Sequence, residues 1–174
     1  MVVPRPQQDG FTAIELVIGL AILVTLAVIL VNSYQTFTVR GQVEHGITLA
    51  EGLKPSILNH LQTRSTLPAN RADAGLSADG ADTFNDYVKS IAIVNGRLDI
   101  TYGNNTNPQI ADAVLSITPY EGPDSSIIWR CGRSEVPTDT TGSELATAGT
   151  AGNGNKATYQ PGTVPERFYP PSCR

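Results

Sequence analysis

From Phe11 to Val31 the chain reads FTAIELVIGLAILVTLAVILV, 21 residues in which Glu15 is the only charge. A helix needs about 20 apolar residues to cross the hydrocarbon core of a bilayer, so this run is long enough to span one. A cleaved secretory signal has a shorter apolar core and a small-residue cleavage site at its end. Here the run continues through Leu30 and Val31 into Asn32 and Ser33, with no A-x-A site. The segment therefore reads as an anchor. Its orientation is poorly set by charge, because Asp9 offsets Arg5, the only cation before the run, and Arg40 lies just beyond it.

Glu15 is the most informative residue of the run. A carboxylate in hydrocarbon costs on the order of 2 to 3 kcal/mol on insertion scales and is usually kept for a partner and a function. Charge location alone leaves two readings open. Glu15 either meets such a partner or sits near enough to the end of the span to reach the headgroups.

The surrounding residues carry a resemblance. Asp9-Gly10-Phe11-Thr12-Ala13-Ile14-Glu15 resembles the type III signal of type IV prepilins: a glycine, a phenylalanine, then a glutamate four residues on, leading into a long apolar helix. The resemblance implies that a membrane aspartyl peptidase cuts after Gly10 and methylates the new amine of Phe11. It also implies that Glu15 of one subunit pairs with the Phe11 amine of a neighbour during assembly. An ion pair in such a low-dielectric setting is strengthened, although desolvation offsets part of the gain.

Beyond the membrane run, Val43, Ile47, Ala50, Leu53, Ile57 and Leu61 recur at three- and four-residue spacing. This predicts an amphipathic helix with one face on a globular core. Joined to the anchor it makes one helix from Phe11 to Gln62, roughly 80 Å long. Pro55 removes a backbone hydrogen bond and clashes with the carbonyl of Glu51, so a kink is expected there. Ser33-Tyr34-Gln35-Thr36-Phe37-Thr38-Val39-Arg40 is similar to the A-Y-Q-D-Y-T-x-R segment of type IVa pilins. Two departures stand out. The family's proline before this segment and its mid-span glycine are replaced by Asn32 and Val24. In the family those positions mark where the helix melts on assembly.

Residues 65–86, rich in Ala, Gly, Asn, Asp and Ser, read as a long connecting loop with at most a short helix. Asp73, Asp79, Asp82 and Asp86 lie there without EF-hand spacing and read as solvated carboxylates. His45 and His60 lack metal-ligand spacing and read as helix-surface histidines. Four strand signals follow. They are Val88–Val94, Arg97–Tyr102, Ala113–Thr118 and Ser126–Cys131, with Asn95-Gly96 as a tight hairpin turn between the first two. The fold class is α+β: a long N-terminal helix packed on an antiparallel sheet of about four strands, with the second sheet face outward or covered by loops.

Cys131 and Cys173 are the only cysteines. They are either a disulfide or a pair of free thiols, and the preceding membrane segment favours the disulfide. From Gly132 to Arg174 the chain is polar and rich in Thr, Gly and Pro. Taken alone it reads as disordered, and a Cys131–Cys173 bridge would change that. Ile128-Trp129-Arg130-Cys131 resembles the W-x-C strand of type IVa pilins, and Tyr169–Arg174 resembles their terminal P-x-x-C-R, whose cysteines bracket a disulfide-bonded region. The resulting domain organisation is a leader (1–10), an assembly helix (11–31), its amphipathic continuation (32–64), a loop and sheet (65–131) and the disulfide-bounded region (132–174).

Several functions are disfavoured. A net charge of −4 argues against a general nucleic-acid binder. No Ser/His/Asp set, phosphate-cradling loop or metal spacing is present, and Asn104, Asn105, Gly152 and Gly154 read as loop residues. No enzymatic activity, cofactor or metal is expected. The resemblance implies a structural subunit of a type IV pilus that serves adhesion, twitching motility or DNA uptake. Its partners would be other subunits, a prepilin peptidase/methyltransferase, inner-membrane assembly machinery and, before assembly, the bilayer, with the head in the periplasm. Two other readings remain. One is a minor pilin binding DNA or a receptor, through a patch of Arg130, Arg133, Lys156, Arg167 and Arg174. The other is a type II secretion pseudopilin, against which the cysteine pair argues. A membrane-tethered enzyme is the remote remainder.

Overall fold

The computed structural model describes residues 10–149 and 155–174. Leader positions 1–9, among them Arg5 and Asp9, lie outside the described residues, as do Gly152 and Gly154. Two compact units are present, 1–36 and 37–174.

Helix α1 spans Ala13–Glu51, and α2 spans Lys54–Arg64. The expected single helix is thus interrupted, and the break falls at Gly52-Leu53, just ahead of Pro55. Leu53 N–H donates to the Ala50 carbonyl at 3.0 Å, a tightened turn, and Pro55 then occupies the first turn of α2. Proline is tolerated there because its missing N–H would have no helical partner. The backbone remains helical through Val24 and Asn32. Ser65 ends α2 in a left-handed conformation, donating its N–H to the Leu61 carbonyl.

Five strands form one antiparallel sheet. β1 (Val88–Val94), β2 (Arg97–Tyr102), β3 (Val114–Glu121) and β4 (Ile127–Cys131) lie side by side in chain order, and the two-residue β5 (Ala146–Thr147) pairs with β3. Asn95 (φ 49°) and Gly96 (φ 79°) make the tight turn that the dipeptide predicts. The register sets Ile91 opposite Ile100, Ile93 opposite Leu98, Leu98 opposite Ile117 and Ile100 opposite Leu115. Opposed residues share a face, so these side chains make one apolar surface. A bulge between Val88 and Ser90 returns Val88 to that surface, opposite Tyr102.

The helix stripe covers this surface. Val39, Val43, Ala50 and Ile57 are buried in the core, with Ile47, Leu53 and Leu61 packed against it. The sequence periodicity therefore identified the buried face. Gly46 decides how closely helix and sheet approach. The Tyr102 ring lies directly over it, so a Cβ there would stand 2.6 Å from ring atoms. Tyr102 is fully buried, and its hydroxyl donates to the Val43 carbonyl at 2.7 Å. Burial pushes the Tyr102 phenol far up, so it stays protonated and able to donate.

The loop after α2 contains the predicted short helical turn at Gly80–Asp82. It is organised around Arg71, only 4% exposed. Its guanidinium donates to the Ser77 carbonyl, the Ile91 carbonyl and the Thr83 hydroxyl. The loop carboxylates make local contacts. Asp73 accepts from Ala69 N–H, Asp79 from Ala81 N–H, and Asp82 from the Ser77 hydroxyl. His60 Nδ1 lies 2.6 Å from the Asp73 carbonyl, and His45 stacks at 5.4 Å on Tyr87.

Two substitutions test the helix–sheet contact. Tyr102→Phe removes one buried hydrogen bond and should cost about 1 kcal/mol. Gly46→Val forces the ring away and should cost about 1 to 3 kcal/mol. Thermal unfolding of the detergent-solubilised chain, followed by far-UV circular dichroism, should rank Gly46→Val below Tyr102→Phe below the parent.

Candidate assembly helix and disulfide-closed region

The first turn of α1 is built by a short local motif. Thr12 precedes the helix. Its N–H and hydroxyl both donate to Glu15 Oε2, at 2.9 and 2.8 Å, and Glu15 N–H donates back to the Thr12 hydroxyl at 3.4 Å. This reciprocal arrangement is a capping box, in which a threonine at the N-cap and a glutamate three residues later satisfy each other's backbone N–H groups. Thr12-Ala13-Ile14-Glu15 before an apolar run is its sequence signature, and the sequence reading, intent on the charge, overlooked it. Glu15 is therefore partnered within its own chain.

The predicted site residues Gly10 and Phe11 precede the helix as exposed, non-helical chain, and Phe11 is 89% exposed. Every residue from Phe11 to Val31 is exposed. The helix is long and apolar enough to cross a membrane by length and composition. Among the described residues nothing in its own unit covers its sides, so this surface needs other cover, such as lipid or another protein.

In the other unit, Cys131 at the end of β4 is bonded to Cys173. The residue after Cys131 has to be glycine. Gly132 takes a left-handed φ of 55°, and a Cβ there would lie 2.9 Å from both the Cys173 carbonyl and the Tyr169 ring. Around this junction the backbone of the tail is tied to the sheet. Gly132 N–H donates to the Ser116 carbonyl, Arg133 N–H to the Cys173 carbonyl, and Thr163 N–H to the Val114 carbonyl. The Tyr169 hydroxyl donates to the Pro161 carbonyl, and the Tyr159 hydroxyl to the Gly132 carbonyl. Burial pushes the Tyr169 phenol up, against the opposing pull of Arg133.

Two arginines clamp the tail from the sheet side. Arg97 is 7% exposed, bidentate to Asp99 at 2.8 and 2.7 Å, and donates to the Thr158 carbonyl. Arg130 lies 3.8 Å over the Tyr159 ring and donates to the Ser134 carbonyl and the Tyr120 hydroxyl. Both were missed as structural residues, because spacing alone does not say which side chains a tail will cover. Of the five residues proposed as a basic patch, Arg133 is tied through its N–H to the Cys173 carbonyl, next to Arg174. Arg130 is committed to Tyr159, the Arg133 charge acts on the Tyr169 phenol, and Arg174 donates to the Arg167 carbonyl.

Among the described residues no group of three or more His, Cys, Asp or Glu could hold a metal ion. The open groove beside β5, about 480 Å³, is lined by Glu121, Asp139 and Glu144 with Leu145 and Ala146. Asp139 accepts from Thr141 Oγ1 and from the N–H groups of Thr141 and Ser143. These bonds, the Thr141 hydroxyl foremost, hold its carboxyl below the usual range.

The comparisons with known proteins agree with one another. A family model described as Pilin (bacterial filament) matches residues 39–174. A fimbrial protein of Neisseria meningitidis serogroup A is 34% identical over 96% of this chain and 94% of its own length. The type IV major pilin protein PilE of Neisseria gonorrhoeae is 32% identical over 96% of this chain and 94% of its own. A fimbrial protein of Moraxella nonliquefaciens is 39% identical over 66% of each chain.

Replacing both cysteines by serine opens a loop of 42 residues. The chain-entropy model puts the loss at about 4 kcal/mol. Limited proteolysis should then cut the 155–174 segment of the double variant under conditions that leave the parent intact. The turn around Asp139 has its own pH signature. The native carboxyl is held below its unfolded value, so its stabilisation is fully present above about pH 4 and is lost as pH falls through the lower native value. Hydrogen exchange at Thr141 and Ser143 should quicken over that acid range, before the β-sheet amides do.

Proposed function

We propose that this chain, which belongs to the type IV pilin family, is made as a membrane-anchored precursor, trimmed after Gly10, methylated at Phe11, and polymerised through α1 into a surface filament. A structural role in a pilus follows from the family itself. The observation that supports the finer reading is the bare apolar surface of Phe11–Val31 with one carboxylate in its first turn. In a bilayer, lipid covers that surface. In a filament, the same surface is covered by the equivalent helices of other copies, so extraction from lipid and assembly exchange one apolar environment for another.

Glu15 has a distinct part at each stage. Before assembly its Oε2 is held by Thr12, which satisfies the carboxylate and the helix N-terminus together. Cleavage before Phe11 would create a cationic amine four residues away. The carboxylate could then serve a neighbour's amine, fixing the axial stagger of successive copies. Peptidase, assembly machinery and bilayer are the partners this route requires. Adhesion, twitching motility and DNA uptake are the uses such a filament would serve. The minor-pilin reading has less support, because Arg130 of its basic patch is engaged within the chain.

A single substitution separates the capping role of Glu15 from its charge. Glutamine also completes a capping box but carries no charge. Glu15→Gln should leave the precursor inserted and cleaved while lowering the sheared filament fraction at least about tenfold, the effect of about 1.4 kcal/mol per added subunit. Thr12→Val, which removes the cap and keeps the charge, should assemble better than Glu15→Gln. Normal filament yield from Glu15→Gln would rule out a charge-dependent assembly contact.

A further inference from the structure

At one corner of the head the guanidinium groups of Arg40 and Arg174 meet on the backbone carbonyl of a third arginine, Arg167, and among the described residues no ion pair is formed there. Arg40 of α1 donates through Nε to the Arg167 carbonyl at 2.9 Å, and Arg174 donates through Nη2 to the same oxygen at 3.5 Å. Two like charges thus stand one carbonyl apart. Arg167 itself lies 4.6 Å over the Phe168 ring, with Nη2 on Gln109 Oε1 at 2.8 Å. Gln42, two residues from Arg40, accepts from Asn107 N–H and ties the same loop to α1. Among the described residues the ion pairs are Lys54–Glu51, Lys89–Asp112 and Arg97–Asp99. None involves this corner. Glu166, next to Arg167 in the chain, is exposed and pairs with none of the three.

We propose that Arg40, Arg167 and Arg174 form a binding site for the phosphodiester of an anionic membrane lipid, engaged while the precursor is anchored. The proposal rests on the anchored-precursor reading above. Convergent guanidinium groups suit a phosphodiester, because each offers paired N–H donors in the geometry of two phosphate oxygens, and one bound anion relieves the repulsion between them. Arg40 and Arg167 keep unused donors after the bonds described, since one Arg40 bond is through Nε and one Arg167 bond through Nη2.

The lipid assignment comes from the tether. Arg40 follows Val31 by nine residues on a helix that has no break between them. Nine residues reach at most about 32 Å even when fully extended, so the site stays near the end of the membrane run whatever the arrangement of the two units. Duplex DNA fits less well, because it asks for a row of phosphate contacts. Arg130 does not extend one, because it is held over the Tyr159 ring. A juxtamembrane basic cluster drawn to an anionic lipid surface gains about 1 kcal/mol per cation near the surface, an attraction that salt screens.

The test uses the full chain reconstituted into vesicles of phosphatidylcholine, with or without about one-third phosphatidylglycerol. Arginines are modified with phenylglyoxal and read by peptide mass spectrometry. Arg64, exposed at the end of α2, is the internal control. Flotation first establishes that the chain is in the bilayer. Failure to float would overturn the anchored reading and the site with it. Modification of Arg40, Arg167 and Arg174 should slow at least about fivefold in the anionic vesicles, and about 0.5 M salt should reverse this. Arg64 should change less than about twofold. In Arg167→Gln, protection of Arg40 and Arg174 should fall, whereas a general surface effect would leave it intact. Equal rates in both vesicles would overturn the proposal. So would equal protection of Arg64, or the same protection from inorganic phosphate or a DNA duplex added to neutral vesicles.

Discussion

An apolar helix surface that no described residue of its own chain covers is the constraint on which everything else here depends. Residues 11–31 contain 21 positions and one charge, and all of them are exposed. Such a surface is stable only against lipid or other protein. In the proposed filament Glu15 would turn a sticky rod into a directed one, because a carboxylate near one end of an apolar helix restricts which neighbours satisfy it. The capping box with Thr12 makes the unassembled state tolerable. On the proposed route, the residue that directs assembly is already satisfied before assembly begins.

The head solves a different problem. Residues 132–174 are too polar to make a core of their own, yet Ala148, Ala157, Val164, Phe168, Tyr169 and Cys173 are all buried. The disulfide fixes the far end of this segment to β4. Gly132 allows the close approach, and Arg97 and Arg130 hold carbonyls and rings of the tail against the sheet. A surface segment that must keep its shape on a filament is thereby bound at several points along its length. Tyr102 and Gly46 bring the sheet and the part of α1 that lies within the same unit into close contact.

Much of this was legible in the sequence because it rests on local rules. Period-2 alternation and Asn95-Gly96 placed the β1–β2 hairpin, the three- and four-residue spacing picked out Val43, Ala50 and Ile57 as core, and Pro55 announced a disturbance next to Gly52. What was not legible depends on distant partners. The third strand was expected to end before Pro119, yet β3 continues to Glu121. Pro119 stands opposite Trp129 of β4, its carbonyl accepts from Ala148 N–H beyond β5, and β2 pairs only as far as Ile117, so no ladder bond needs its missing N–H. β5 itself is two residues in a Thr/Gly-rich stretch, with no periodicity to detect. Arg71 and Arg97 look like surface arginines until the loop and tail close over them. In the candidate site, the glycine, phenylalanine and glutamate could be singled out by resemblance. The Thr12 cap was readable from chemistry alone and went unread.

The central claim is that α1 is an assembly element exposed by trimming and used in a polymer. Intact mass measurement with N-terminal peptide mapping, on protein sheared from cells, tests it most directly. The account predicts a chain beginning at methylated Phe11, lighter by two hydrogens for the Cys131–Cys173 bond. A chain that keeps its residues ahead of Phe11, stays in the membrane and is absent from the sheared fraction would contradict it.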